Sequence, residues 1–134
     1  MDLSKIALLS TSDARKIKWA SCGNDAEEVN ASPRLLELLE DGYTVYIVST
    51  RPKLSPEKYD KCLFDLIPEE NFFTPIPELL DGRCAQDAGY IEMWERVLTH
   101  LGIHPGSFDA KHFRYELCWM DLRLVAEEAG ITIR

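Results

Sequence analysis

Groups able to do chemistry recur where extended apolar runs stop. Lys5-Ile-Ala-Leu-Leu-Ser10 is followed by Thr11, Ser12 and Asp13. Tyr43-Thr-Val-Tyr-Ile-Val48 is followed by Ser49, Thr50 and Arg51. A third run, Phe108 to Tyr115, is followed by Glu116, with Asp121 five residues further on. In an open parallel sheet, ligands bind at the carboxyl ends of the strands. Hydroxyls, a guanidinium and two carboxylates would then converge on one rim. That mixture suits a phosphate, held by Ser49, Thr50 and Arg51, or a hard cation such as Mg²⁺ on Glu116 and Asp121, since Mg²⁺ takes oxygen ligands. The same residue types also cap helices and satisfy loop backbone, so Asp121 has a second reading as the cap of the last helix.

The elements that must position these groups alternate. Residues 5–10 read as a buried strand. Residues 13–31 are polar and irregular, with Cys22-Gly-Asn-Asp25 as a turn. Ser32-Pro33 opens a helix, Leu35, Leu36, Leu38 and Leu39 give it an apolar face, and Asp41-Gly42 ends it. The β-branched and aromatic run after that helix predicts a strand over 43–49. A short helix runs from Ser55 to about Leu66. Residues 71–76 read as a short edge strand because of Pro75, and Asp81 to Gly89 as loop. Tyr90 to Leu101 is a helix with Ile91, Trp94, Val97, Leu98 and Leu101 on one face. A fourth strand is expected over 109–116, a helix over 121–129 capped by Gly130, and a last strand over 131–133. Strands alternating with helices predict a single Rossmann-like α/β domain whose sheet is five-stranded and mainly parallel.

The chain has 134 residues, which fits one domain, and 46% of them are apolar, enough for a core without a metal or disulfide staple. Its net charge of −8 disfavours phosphate backbones and anionic lipid, so nucleic acid and membrane surfaces are unfavoured partners. No apolar run approaches the ~20 residues needed to span a bilayer. The short Ile6–Leu9 run does not make a signal peptide, so a cytoplasmic location is expected. Cys22, Cys62, Cys84 and Cys118 form no Cys-x-x-Cys pair and read as reduced thiols. His100 and His104 straddle a helix end at Gly102 rather than forming a metal pair. No Gly-x-Gly-x-x-Gly, P-loop or Gly-x-Ser-x-Gly is present. Trp94 reads as a packing residue, whereas Trp119, between Glu116 and Asp121, has a second reading as a pocket-filling or partner-facing side chain.

The stretch Asn30 to Thr50, a helix ending in Gly and leading to a strand ending in Ser-Thr, resembles the haloacid dehalogenase-like phosphohydrolase superfamily. Leu101-Gly-Ile-His-Pro105 looks like the end of that superfamily's helix before its fourth strand. Glu116 and Asp121, followed by Ala126-Glu-Glu-Ala-Gly-Ile131, resemble its acidic motif and following helix. The resemblance covers about residues 5–133 in the right order, without an inserted cap domain. It implies a phosphate site at Ser49 or Thr50, Mg²⁺ as cofactor, and a nucleophile just after the first strand. The bare order of strands and helices also fits another doubly wound domain, such as a nucleotide-binding one.

The departures fall on the reaction centre. The superfamily's first motif is Asp-x-Asp, a nucleophile followed by a general acid/base. Ser10 and Ser12 stand in those places. Moving the match to Asp13 puts Arg15 in the second acidic place. No Lys precedes the Tyr90 helix, where the resemblance places the third motif, and Tyr115-Glu116 replaces the usual Gly-Asp. The expectation is a catalytically silent phosphatase-like domain that binds a protein partner or a small phosphorylated ligand and needs no cofactor. The alternative is a phosphohydrolase with an altered nucleophile, Ser10 or Asp13.

Overall fold

Ile6 to Ser10 alternates its side chains between two apolar layers, which is why the strand reads as a continuous apolar run. A computed structural model describes residues 5–21, 26–49, 60–75, 88–114 and 119–134. Within them β1 (Ile6–Ser10) pairs in parallel with β4 (Thr44–Val48), from Ile6 opposite Thr44 to Ser10 opposite Val48. Beyond β4 lies the short β5 (Phe72–Phe73), also parallel. On the other side of β1 a single parallel bridge joins Ile6 to Ile133.

Helix α2 (Pro33–Glu40) and the one-turn α3 (Lys61–Phe64) cover one face of this sheet. Ala7, Leu9, Val45 and Ile47 point there, against Leu35, Leu38 and Leu63. Helices α4 (Ala88–His100) and α5 (Leu122–Glu128) cover the other face, where Ile6, Leu8, Tyr46 and Val48 meet Met93, Trp94, Leu98 and Val125. The helix faces differ in detail from expectation. Leu36 points to solvent while Leu35 and Leu38 are buried, and Ile91 is exposed while Met93 fills the core.

The sheet is not five-stranded and parallel. Residues 109–116, expected as a fourth strand, begin with a 3₁₀ turn at Ala110–His112. His112 is buried, and its Nδ1 accepts the Asp109 backbone N–H at 2.8 Å, which bends the chain instead of extending it. The next two residues, β6 (Phe113–Arg114), pair antiparallel with β7 (Trp119–Met120). Residues 131–133 contribute only the bridge at Ile133, flanked by hydrogen bonds from Arg134 N to Ile6 O and from Leu8 N to Arg134 O.

A second antiparallel pair lies in the segment expected to be irregular. β2 (Arg15–Trp19) pairs with β3 (Ala26–Ala31), with Ile17 opposite Val29 and an irregularity between Lys18 and Trp19. The expected turn, Cys22 to Asp25, lies outside the described residues. So do the first part of the helix expected from Ser55 and the loop residues 81–87; Gly89, expected in that loop, lies in α4.

Candidate functional site

The single helical turn α1 (Thr11–Ala14) leaves β1 directly, and Ser10 is its N-cap. The half-buried Ser10 Oγ accepts the Asp13 N–H at 3.1 Å and lies 3.0 Å from Ser12 Oγ. Ser10 is therefore the cap of α1, the position where serine is favourable, and Ser12 is bonded to its hydroxyl from within the turn. Ser12 and Asp13 are exposed. Ser49 follows β4 and so stands beside Ser10, whose register partner is Val48. Ser49 is buried, and its N–H donates to Phe73 O at 3.0 Å, extending the β4–β5 ladder by one bond. The structure thus brings Ser10, Ser12, Asp13 and Ser49 to adjoining strand ends. Thr50, Arg51 and Glu116 lie outside the described residues.

Asp121 is engaged elsewhere. Its Oδ1 accepts the Leu124 N–H at 3.2 Å as the N-cap of α5, and its own N–H donates to His112 O at 2.6 Å. From the first turn of α5, Arg123 Nη2 reaches Leu8 O at 3.4 Å. The expected acidic residue is therefore on an element that touches β1, in the capping role.

Mg²⁺ binds through carboxylates and keeps near-octahedral geometry. The two places after β1 carry hydroxyls bonded to each other, and Asp121 already holds a backbone N–H. Among the described residues no group of three or more His, Cys, Asp or Glu is placed to hold a metal ion. Those described donors do not fit Mg²⁺.

Three features near the site had no local sequence signal. Arg15, at the base of the β2–β3 hairpin, forms an ion pair with Asp60, which is fully buried. Breaking one partner of such a buried pair costs about 3–5 kcal/mol, so it fastens the hairpin to the start of α3. Ser32 closes the same base, its N–H donating to Ala14 O at 2.8 Å and its hydroxyl to Asp13 O at 2.7 Å. His112 Nε2 faces Glu128 Oε1 at 3.1 Å, joining the 3₁₀ turn to the end of α5. With Nδ1 accepting from Asp109, Nε2 carries the proton donated to Glu128. The one cysteine among the described residues, Cys62, is free; burial pushes its thiol pKa up against the lowering effect of Arg15.

His104 accepts the Gly106 N–H on Nδ1 at 3.0 Å, beyond the end of α4, where His100 is the last residue. Trp94 is fully buried in the core. The side chain of Trp119 lies outside what the structure describes. No protein-family model, curated protein or solved structure matches the chain.

Proposed function

We propose that this chain is a phosphatase-like α/β domain that binds a ligand or partner without turning over phosphate esters. The observation that carries the reading is the Ser10–Ser12 contact, with Ser10 Oγ capping α1. Among the described residues the Ser10 hydroxyl is bonded to the Asp13 N–H and the Ser12 hydroxyl. Serine attack needs an adjacent general base within hydrogen-bond reach. The neighbour here is another hydroxyl. Two further features support the resemblance on which the reading rests. β1 lies between β4 and the Ile133 bridge, an inner position, and the Ser that ends the second motif stands beside the end of β1. Among the described residues that directly follow β1 and β4, Asp13 is the carboxylate, and it is exposed to solvent. With Arg15 two residues on and paired to Asp60, it has no second acid in the motif's spacing.

The test is a titration of Mg²⁺ followed by calorimetry, alone and with inorganic phosphate. The expected result is no constant tighter than millimolar for the metal, and a phosphate affinity that Mg²⁺ does not change. A micromolar Mg²⁺ constant, abolished by Glu116→Gln, contradicts the reading and favours the enzyme with an altered nucleophile.

A further inference from the structure

The β2–β3 hairpin leaves the sheet at the end where β1 gives way to α1, beside Ser10, Ser12 and Asp13. Among the described residues its two strands pair only with each other, and neither joins the parallel sheet. Core packing reaches only its root. Ala31 packs against the core layer of α2 and α3. Ile17 and Val29, opposite each other and half-buried, belong to neither apolar layer. Lys16, Lys18, Glu28 and Asn30 are exposed. Neither ladder bonds to the main sheet nor core packing therefore sets the angle at which the hairpin stands.

The contacts at the root divide into two kinds. Ala14, fully buried, precedes Arg15, and Ser32, which follows β3, bonds to Ala14 O and Asp13 O. These fix where the hairpin begins, along the line about which it would turn. The other contact lies off that line. Arg15 pairs with the fully buried Asp60 at the start of α3, and β3 lies against that helix. Asp60 forgoes a local role for this pair. It stands at the N-cap of α3, where Asp ordinarily accepts a backbone N–H, yet its side chain makes no cap bond. Burying two charges is expensive, and an apolar pair of similar volume is often as stable or more so. What the ion pair adds over an apolar contact is direction, because the guanidinium is a planar, rigid fork of donors.

We infer that the Arg15–Asp60 pair is a latch that sets the angle of the β2–β3 hairpin at the strand ends, and that it contributes orientation rather than stability. Held by the latch, the hairpin keeps one orientation beside Ser10, Ser12 and Asp13. Released, it turns about Ala14 and Ser32 while its own ladder stays intact. What the strand-end site binds rests on the reading above, but the latch does not, and its test contains no ligand.

The test measures residual dipolar couplings of backbone amides in the isotope-labelled full chain, which report the orientation of one element relative to another. The proteins are the wild type, the double variant Arg15→Met with Asp60→Leu, and a control, Lys61→Met with Asp65→Leu, which removes the exposed ion pair of α3. In the wild type one alignment should fit the amides of β2 and β3 together with those of β1 and β4. In the latch variant motion should average the hairpin couplings down by about twofold or more. The couplings of β1 and β4, and the urea midpoint, should stay at wild-type values, and the control should match the wild type throughout. Unchanged hairpin couplings in the latch variant overturn the inference, as do hairpin couplings already averaged in the wild type. A lower urea midpoint, or failure of the latch variant to fold, also overturns it, because the pair then acts through stability. An equal loss in the control assigns the effect to the surface charge of α3 and likewise overturns it.

Discussion

Two helix–strand units with nearly the same local signals end differently. In the first, Ser32 caps α2, Gly42 ends the unit at φ 82°, and β4 pairs over five residues with β1. In the second, Asp121 caps α5 and Gly130 takes φ 83°, yet the chain then makes one bridge, Ile133 to Ile6. Both caps and both glycines do what their chemistry dictates, since an oxygen side chain takes an orphan N–H and glycine enters the left-handed region without a Cβ penalty. The difference lies in the residues after each glycine. Thr44 to Val48 is β-branched or aromatic throughout and becomes an inner strand of its sheet, packed on both faces. Ile131-Thr-Ile133 supplies one buried side chain, at the sheet edge. The N-caps and the glycines decide where each helix starts and stops, but the length of the apolar run decides how much sheet forms after it.

The largest test of this contrast is in the core. Ile47 is fully buried between α2 and α3, and Ile47→Ala should destabilise by about 3–5 kcal/mol, the upper part of the range for large-to-small core changes. Ile133→Ala should cost about 2 kcal/mol, because an edge position relaxes more easily. Urea unfolding of both variants measures the difference. Equal losses would mean that the second unit is as firmly built as the first.

The caps give the next effect. Ser32→Ala removes a cap on Leu35 N and a hydrogen bond to Asp13 O, and should cost about 1–2 kcal/mol. Asp121→Ala removes the cap on Leu124 N and should cost about 1 kcal/mol. If Asp121 held a metal instead, its loss would also change stability in response to added Mg²⁺, which is not expected.

The smallest effect is local and chemical. Burial holds the Cys62 thiol above its ordinary pKa, so less thiolate is present at any pH below it. Iodoacetamide should modify Cys62 in the folded chain several-fold more slowly than after unfolding in urea at the same pH. Equal rates would show that neither burial nor Asp60 restrains the thiol.

The same contrast explains what could be read in the sequence. Ser32-Pro33, Gly42 and the 44–48 run each act within a few residues, and all three elements form where the residue types place them. So do the core helix around Trp94 and the cap at Asp121. The β2–β3 hairpin was legible only as a weak alternation, with Ile17 and Val29 each between polar neighbours, and the charges around them masked it. The 3₁₀ turn at 110–112 depends on where the His112 ring points, and the Arg15–Asp60 pair joins positions 45 residues apart. Neither has a periodic signature. At the strand ends, residue types placed Ser10, Ser12 and Ser49 after β1 and β4, but they did not show the bonds by which Ser10 caps α1 and meets Ser12.

On the proposed reading, the Ser10 hydroxyl caps α1 and the end of β1 does not turn over phosphate esters. Steady-state hydrolysis of an aryl phosphate with Mg²⁺, on wild type, Ser10→Ala and the double variant Ser10→Asp with Ser12→Asp, tests it most directly. In-line attack needs nucleophile, general acid, metal and cation held together, and groups of such a site act as a unit. The account predicts negligible turnover for all three proteins, with the double variant recovering little. Wild-type turnover of about 1–10³ s⁻¹, the usual enzyme range, lost on Ser10→Ala, would contradict it and make Ser10 the nucleophile.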